Sequence, residues 1–143
     1  MGRDLTAEDR ELRALLGDVH TIAVVGLSSR RGRPSFEVAR YLRSHGYRIV
    51  PVNPNETEVL GERAYPTLRD LPPDLSVDVV DVFRRAEHTP EIARDAVAIG
   101  AGVLWLQEDI VSDEAAAIAT ERGLDVIMGV CIRTAKRRVE REA

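Results

Sequence analysis

The sequence predicts an α/β fold in which helices cover both faces of an open parallel sheet of about five strands. Short runs rich in Val, Ile and Leu recur along the chain, and segments with helical periodicity separate them. Continuous apolar runs are typical of strands buried on both faces, and strands that alternate with helices at this spacing form right-handed parallel crossovers. With 143 residues, of which 44% are apolar, we expect a single domain over residues 1–143.

A short amphipathic helix is predicted ahead of the sheet, over residues 6–17. Leu12, Leu15 and Leu16 fall on one helical face, and Gly17 is a suitable end. Thr6 is the expected N-cap, because its hydroxyl can accept a hydrogen bond from a free N–H group of the first turn.

The apolar runs locate the strands, and the periodic segments between them locate the helices. The predicted strands cover residues 22–25, 47–52, 77–83, 102–106 and 125–128, and the predicted helices cover residues 36–45, 89–99, 112–122 and 132–140. Thr89 and Ser112 are the expected N-caps of two of these helices. Asp78 and Asp81 interrupt the third strand, and we expect them to lie at the strand mouth or to be partly exposed.

Proline and asparagine mark the connections after the second strand. Two of each within residues 51–55 predict a rigid loop. A helical turn is expected after Pro66, before Pro72-Pro73 leads into the third strand.

The segment 21–35 has the composition of an anion site. An apolar strand runs into Gly26, small polar residues follow, and Arg30, Arg31 and Arg33 precede the next helix. A turn at the carboxyl end of a parallel strand directs backbone N–H groups and a helix N-terminus at a phosphate. The alternative interpretation is an ordinary strand-to-helix turn with a solvated arginine cluster.

Two features of the sequence disfavour NAD. Ser28 stands where the G-x-G-x-x-G fingerprint has its second glycine. Dinucleotide folds also place an Asp or Glu about 20 residues after the glycine loop, where it binds the ribose hydroxyls. Here the second strand ends in Val52, Asn53 and Pro54, and the first acid is Glu56.

Four loops follow the carboxyl ends of predicted strands, at residues 26–35, 52–55, 83–85 and 106–109. Ligands of open parallel sheets bind outside these ends, near the point where the strand order reverses. We therefore expect the four loops to share one rim.

Composition excludes several classes of protein. A formal net charge of −4 and a pI near 5.4 argue against a general nucleic-acid binder. A single cysteine, Cys131, excludes an intrachain disulfide and a Cys-rich zinc site, and none of the three histidines has an evident catalytic companion. The N-terminus is too charged for a signal peptide and no apolar run is long enough to span a bilayer, so we expect a cytoplasmic protein without membrane contact.

Five segments resemble the small stand-alone CoA-binding proteins: VVGLSS…RPS, YRIVPVNP, VDVVDVFRR, VLWLQEDI and GLDVIMGVCI. The Rossmann-like domain of that family is similar to the amino-terminal CoA-binding domain of succinyl-CoA synthetase alpha subunits. The resemblance covers about residues 10–140. It implies a Rossmann-like fold and CoA, or an acyl-CoA, as the ligand.

The resemblance also implies a set of cofactor-binding residues, position by position. Gly26, Leu27 and Ser28 would lie under the CoA diphosphate, with Arg33, Pro34 and Ser35 at the start of the next helix. Val52, Asn53 and Pro54 would border the nucleotide, Phe83 and Arg84 would flank adenine or a phosphate, and Trp105 and Gln107 would lie near the rim by the pantetheine path. The sequence departs from the family pattern at Glu108-Asp109, where a glycine commonly follows WLQ, and at Gly129-Val130, where Asp-Arg usually precedes the cysteine.

Two of these side chains have alternative interpretations. Trp105 is also expected as a core aromatic residue. Cys131 is either a thiol partner for CoA in a mixed disulfide or a buried structural cysteine.

The chemistry of the rim suits CoA, a 3′-phosphorylated ADP with a diphosphate, because arginine binds phosphate bidentately and stays charged. NADP carries an extra phosphate as well and remains a competitor. The first hypothesis is non-catalytic binding of CoA or an acyl-CoA, as carrier, sensor or accessory subunit. The alternatives are an NADP-dependent reductase or acyl-CoA enzyme, and an interaction module with a vestigial cleft; a homodimer or an unidentified protein partner is compatible with each.

Overall fold

The structure is a computed structural model that describes residues 1–141. In chain order its strands are β1 (Thr21–Val25), β2 (Arg48–Val52), β3 (Glu58–Val59), β4 (Glu62–Arg63), β5 (Val79–Val82), β6 (Val103–Glu108) and β7 (Asp125–Gly129). Its helices are α1 (Asp9–Asp18), α2 (Pro34–Ser44), α3 (Thr89–Ala98), α4 (Asp113–Glu121) and α5 (Ile132–Arg141). The predicted class, a Rossmann-like open parallel sheet with helices on both faces, is confirmed.

Within residues 1–141 the main sheet has five strands in the order β2-β1-β5-β6-β7, and every neighbouring pair is parallel. The chain passes from β1 outward to β2 and then returns across β1 to β5. The strand order therefore reverses between β1 and β5, which is where sheets of this kind form a crevice.

Alternation along the strands divides the core into two layers. Helices α1, α2 and α5 pack on one face, against side chains such as Ile22, Val24 and Trp105. Helices α3 and α4 pack on the other face, against Ala23 and Val80. We call these the α2/α5 face and the α3/α4 face.

Strands β3 and β4 form a small antiparallel hairpin outside the main sheet, which the sequence did not predict. Its two central residues, Leu60 and Gly61, both have positive φ, at 54° and 77°. Hairpin turns of this type favour Asn-Gly or Asp-Gly, so leucine at the first position gives no turn signal. The helical turn expected after Pro66 is present as a 3₁₀ turn over Leu68–Asp70.

Two of the expected N-caps are wrong and one is confirmed. Helix α1 begins at Asp9, and the Thr6 hydroxyl accepts a hydrogen bond from the Met128 N–H (3.0 Å), which ties the N-terminal segment to β7. Thr89 lies inside α3 rather than before it, and its hydroxyl donates to the Ala86 carbonyl (2.6 Å). Ser112 caps α4 as predicted, because its Oγ accepts from the Ala115 N–H (3.1 Å).

The two acids of the third main-sheet strand have different environments. Asp78 lies at the strand mouth as expected, where its Oδ2 accepts from the N–H groups of His20 (2.8 Å) and Thr21 (2.9 Å). The expectation for Asp81 is wrong, because this residue has no exposed surface. It lies within β5 on the α2/α5 face, with neighbouring strands on both sides, so solvent has no path to its side chain.

Candidate functional site

Gly26 lies at the strand-order reversal, directly after β1. Its N–H donates to the Val52 carbonyl (2.8 Å), and its φ is +87°. A Cβ built on Gly26 would lie 2.8 Å from the Phe83 carbonyl oxygen and 3.1 Å from Cδ of Arg84. Only glycine fits here without displacement, because the backbone is left-handed and the end of β5 is in close contact.

The glycine loop, residues 26–33, turns its backbone N–H groups toward nearby side chains. The Ser28 N–H donates to Oγ of Ser35 (3.0 Å), and the Ser29 N–H donates to a carboxylate oxygen of Glu56 (2.8 Å). The Gly32 N–H donates to a carboxylate oxygen of Glu37 (3.0 Å). Acidic oxygens thus already bind donors of this loop, which indicates that the loop attracts anions.

Glu37 is charged over a wider pH range than an ordinary glutamate. The hydrogen bond from the Gly32 N–H lowers its pKa below 4.5, and the cations of Arg40 and Arg133 add to this effect against a smaller contribution from burial. Arg133 belongs to the first turn of α5 and Glu37 to the first turn of α2. The N-termini of these two helices therefore lie within electrostatic range of each other at the rim.

The predicted residues at the start of α2 are exposed except for Ser35. Pro34 is the first helical residue, and Arg33 immediately precedes it. Within residues 1–141, Arg30, Arg31 and Arg33 are exposed and belong to none of the ion pairs that the structure records. Three unneutralised guanidinium groups next to a helix N-terminus favour a phosphate-bearing ligand.

The end of β2 supports the glycine loop through Asn53. Its Nδ2 donates to the Leu27 carbonyl (3.1 Å), and its Oδ1 accepts from the Asn55 N–H (2.9 Å). The side chain of Leu27 is fully buried, so only its backbone faces the rim. Asn53 thus stabilises the conformation of the glycine loop. It does so at the position where a dinucleotide fold has a ribose-binding acid.

A cavity of about 240 Å³ adjoins the glycine loop on the α3/α4 face. Val25, Val52 and Ile92 supply its apolar lining, and Arg84 and His88 supply its basic groups. The cavity is also lined by Pro54, by the segment 66–68 and by two acids of α3, Glu91 and Asp95. A slot with apolar walls and a few polar groups suits a flat heterocycle joined to charged groups.

Trp105 is the one predicted site residue that the structure places away from the rim. It is completely buried in the core of the α2/α5 face, and its indole N–H donates to the Val130 carbonyl (2.7 Å). The assignment to a ligand is therefore corrected to the core role, because both its ring surface and its polar group are already occupied. The other predicted residues lie at or directly beneath one rim, and their role as ligand contacts stays a prediction.

Sequence reasoning missed the parts of the site that come from distant segments. Glu56 reaches the loop because the Asn53 turn folds back, with the Glu56 N–H donating to the Asn53 carbonyl (3.2 Å). Glu37 carried a usable signal, since acids favour the first turn of a helix. The cavity residues of α3 carried none, because their position depends on how α3 packs against the sheet.

Residues 20–137 match the model of a family described as "CoA binding domain". The chain is 40% identical over 125 residues to the uncharacterized protein YneT of Bacillus subtilis (strain 168), covering 87% of this chain and 91% of that protein. It is 30% identical over 82 residues to an ADP-forming acetate–CoA ligase II of Archaeoglobus fulgidus, covering 56% of this chain and 12% of the ligase.

A solved structure of a hypothetical protein from Pyrococcus horikoshii OT3 is similar over 98% of both chains, with a TM-score of 0.90 and 34% identity. Among residues 1–141, no helix meets the length and hydropathy needed to span a membrane, and no cluster of His, Cys, Asp and Glu is arranged to hold a metal ion.

Proposed function

The chain belongs to the CoA-binding domain family, and from this premise we propose that its rim binds CoA or an acyl-CoA without catalysing a reaction on it. The protein then acts as a carrier, a sensor or an accessory subunit. The archaeal relative named as an acetate–CoA ligase uses a matching segment within a much longer chain, which is compatible with a binding role for the segment itself.

The contact between Gly26 and Phe83 is the observation that carries this proposal. A side chain on Gly26 would collide with the Phe83 carbonyl, so the bare glycine lets the loop pass close to the end of β5 at the strand-order reversal, where we place the diphosphate. The N–H groups of Ser28 and Ser29, which donate to Ser35 and Glu56 in this structure, would turn to the phosphate oxygens when CoA binds, next to the start of α2. Arg33 supplies the neutralising charge.

We place the adenine in the cavity next to the loop. Val25 and Val52 offer apolar surface to the ring, Pro54 borders it, and Arg84 lies between the cavity and Gly26. We therefore assign Arg84 to a phosphate of the nucleotide. Phe83 is half-exposed on the α2/α5 face, and we assign it to the start of the pantetheine arm.

NADP is the competing ligand, because its 2′-phosphate also favours arginine. Asn53 stands where a ribose-binding acid would be and is committed to Leu27, which argues against NAD. Membership of the CoA-binding domain family favours CoA over NADP, so we expect CoA to bind more tightly than NADP, and NAD to bind least.

Calorimetric titration with CoA, acetyl-CoA, NADP and NAD at fixed salt tests the proposal. Arg33→Ala should weaken CoA by about three- to tenfold, as expected for one charge-assisted phosphate contact. Arg43→Ala is the matched control, since Arg43 is an exposed arginine at the opposite end of α2 and should leave affinity unchanged. Tighter binding of NADP than of CoA would favour the reductase, and no heat with any of the four ligands would favour the interaction module.

The non-catalytic part of the proposal has its own test. Acetyl-CoA incubated with the protein should be recovered intact by chromatography, at the rate of loss seen in buffer. Accelerated release of free CoA would show that the site performs chemistry on the thioester.

A further inference from the structure

Cys131 occupies the N-cap position of α5, beside the carboxyl end of β6. Its carbonyl accepts from the Ala135 N–H (2.9 Å), the first hydrogen bond of the helix. Oε1 of Gln107 accepts from the Ile132 N–H (3.0 Å) and so fixes the start of α5 against the sheet. The thiol is half-buried, so it is both held in place and reachable.

The surroundings of the Cys131 sulfur favour the thiolate. Burial raises its pKa, but hydrogen bonds from the Thr134 N–H and hydroxyl, the Gln107 amide and the Arg133 N–H outweigh burial and lower the pKa. The thiolate, not the thiol, is the nucleophile in disulfide exchange. Cys131 is thus a better nucleophile near neutral pH than an ordinary cysteine.

Asp81 is a second, independent feature that points to this position. It is completely buried, and within residues 1–141 neither of its carboxyl oxygens has a hydrogen-bond partner. Burial, and then the charge of Cys131, raise its pKa well above 3.8, so Asp81 is a neutral acid on the same face of the sheet as Cys131 and within electrostatic range of it. A buried carboxyl group whose proton has no acceptor calls for an explanation. A sulfur group bound at Cys131 would bring an acceptor to this part of the protein.

The same rim connects Cys131 to the glycine loop. Phe83 touches Gly26 through its carbonyl and packs, together with Val130 and Cys131, on the α2/α5 face. The first turns of α2 and α5 lie within electrostatic range of each other, because the charge of Arg133 contributes to the lowered pKa of Glu37. A ligand with its diphosphate above Gly26 can therefore lead its flexible arm past Phe83 to the thiol of Cys131.

We propose that Cys131 is a thiol–disulfide exchange site for the pantetheine sulfur of a CoA disulfide. The Cys131 thiolate attacks one sulfur of the disulfide, the S–S bond breaks, and a Cys131–S–S–CoA bond forms. The second CoA leaves as a thiolate and takes a proton from water, so no external oxidant is consumed. This step rests on the proposed function, because CoA held in the cleft delivers its sulfur to Cys131.

Intact-mass spectrometry after incubation of the reduced protein with CoA disulfide tests the step. One CoA adduct, removed by dithiothreitol, is expected, and it belongs to Cys131 because the chain has one cysteine. The initial rate should exceed that with glutathione disulfide by roughly tenfold or more, since binding in the cleft converts the attack into an effectively intramolecular step. Protein unfolded in urea should lose this preference, and CoA without its sulfur should compete with CoA disulfide in the folded protein.

Calorimetry of Cys131→Ser with CoA separates the two proposals, because this variant can bind but cannot exchange. Binding by Cys131→Ser, combined with equal rates for the two disulfides in the unsubstituted protein, overturns the exchange site and leaves the proposed function intact. Absence of CoA binding in both the unsubstituted protein and the folded Cys131→Ser, again with equal rates, overturns both. No adduct with either disulfide overturns the exchange site outright.

Discussion

Gly26 combines two constraints that can be separated by substitution. Gly26→Ala introduces a side chain at φ +87° and places it 2.8 Å from the Phe83 oxygen. Gly46→Ala introduces the same side chain at φ +94°, with nothing within 4 Å. Both variants should lose about 1–2 kcal/mol of unfolding free energy through the left-handed backbone.

The steric contact adds a further effect at Gly26 alone. We expect Gly26→Ala to lose more stability than Gly46→Ala in urea unfolding, because the end of β5 must shift. CoA affinity, measured by calorimetry, should fall in Gly26→Ala and stay unchanged in Gly46→Ala. Equal stability losses and equal affinities in the two variants would contradict the placement of the diphosphate.

Asp81 should make a contribution to the free energy of unfolding that declines as the pH rises. Its pKa in the folded protein is raised, first by burial, well above 3.8, so the folded chain retains a proton that the unfolded chain has released. The stability from the neutral acid is complete below pH 3.8. Above that value it declines by about 1.4 kcal/mol per pH unit until the folded pKa is reached.

Asp81→Asn keeps the shape of the side chain and removes its titration. In urea unfolding over a pH series, the stability of the unsubstituted protein relative to Asp81→Asn should therefore fall with rising pH. Asp74→Asn is the control, because it makes the same replacement of Asp by Asn at an exposed position. A constant difference between the unsubstituted protein and Asp81→Asn above pH 3.8 would show that Asp81 is solvated or paired.

At the level of the elements, the two loops after β1 and β2 meet through Glu56 and Ser29. The Glu56 carboxylate lies on an N–H group that we assign to the ligand phosphate, so the two negative charges compete. Glu56→Gln keeps the hydrogen-bonding shape and removes the charge. We expect CoA affinity to rise by about two- to fivefold, as one screened like-charge contact of roughly 0.5–1 kcal/mol is lost.

Glu58→Gln is the matched control for this substitution. Glu58 is exposed in β3, two residues away in sequence, and its replacement changes the net charge by the same amount. Calorimetry at one salt concentration should show little change in affinity for this variant. An equal gain in both variants would assign the effect to the overall charge and not to the loop contact.

Elements that depend on local pattern could be predicted from the sequence. The main-sheet strands and most helices were recovered because each consists of a continuous apolar run or a periodic face of several residues. The β3–β4 hairpin was missed because each strand has two residues and Leu60 adopts a left-handed conformation. Within Glu108-Asp109, where the resemblance implied a glycine, Asp109 has φ +66°, a conformation that aspartate tolerates better than most residues.

Contacts between distant segments could not be predicted in the same way. The Ser29–Glu56 hydrogen bond spans 27 positions, and the burial of Asp81 results from strands that pair on both sides of β5. The resemblance implied a set of rim residues whose ligand contacts stay a prediction, and it also placed Trp105 near the rim although alternation along β6 directs this side chain into the core. Sequence order specifies which residues share a strand end, whereas packing decides which of them are accessible.

For the molecule as a whole, the net charge and the local charge at the rim predict opposite effects of salt on CoA affinity. The formal net charge is −4, so the overall field repels an anionic ligand, and added salt should strengthen binding by screening that repulsion. Arg30, Arg31 and Arg33 are exposed in the loop next to which we place the diphosphate. If the local cluster dominates, added salt should weaken binding.

We expect the local cluster to dominate, because Coulomb energy falls with distance and the acids are spread over the surface. CoA affinity should therefore decrease on the order of tenfold between roughly 0.05 M and 0.5 M salt, as the Debye length shortens. The CoA affinity of Arg33→Ala should depend less steeply on salt in the same titrations. The CoA affinity of Arg43→Ala should show the same salt dependence as that of the unsubstituted protein. Affinity that rises with salt would mean that the ligand phosphates lie away from the arginines of the glycine loop, and the diphosphate would then have to be placed elsewhere on the rim.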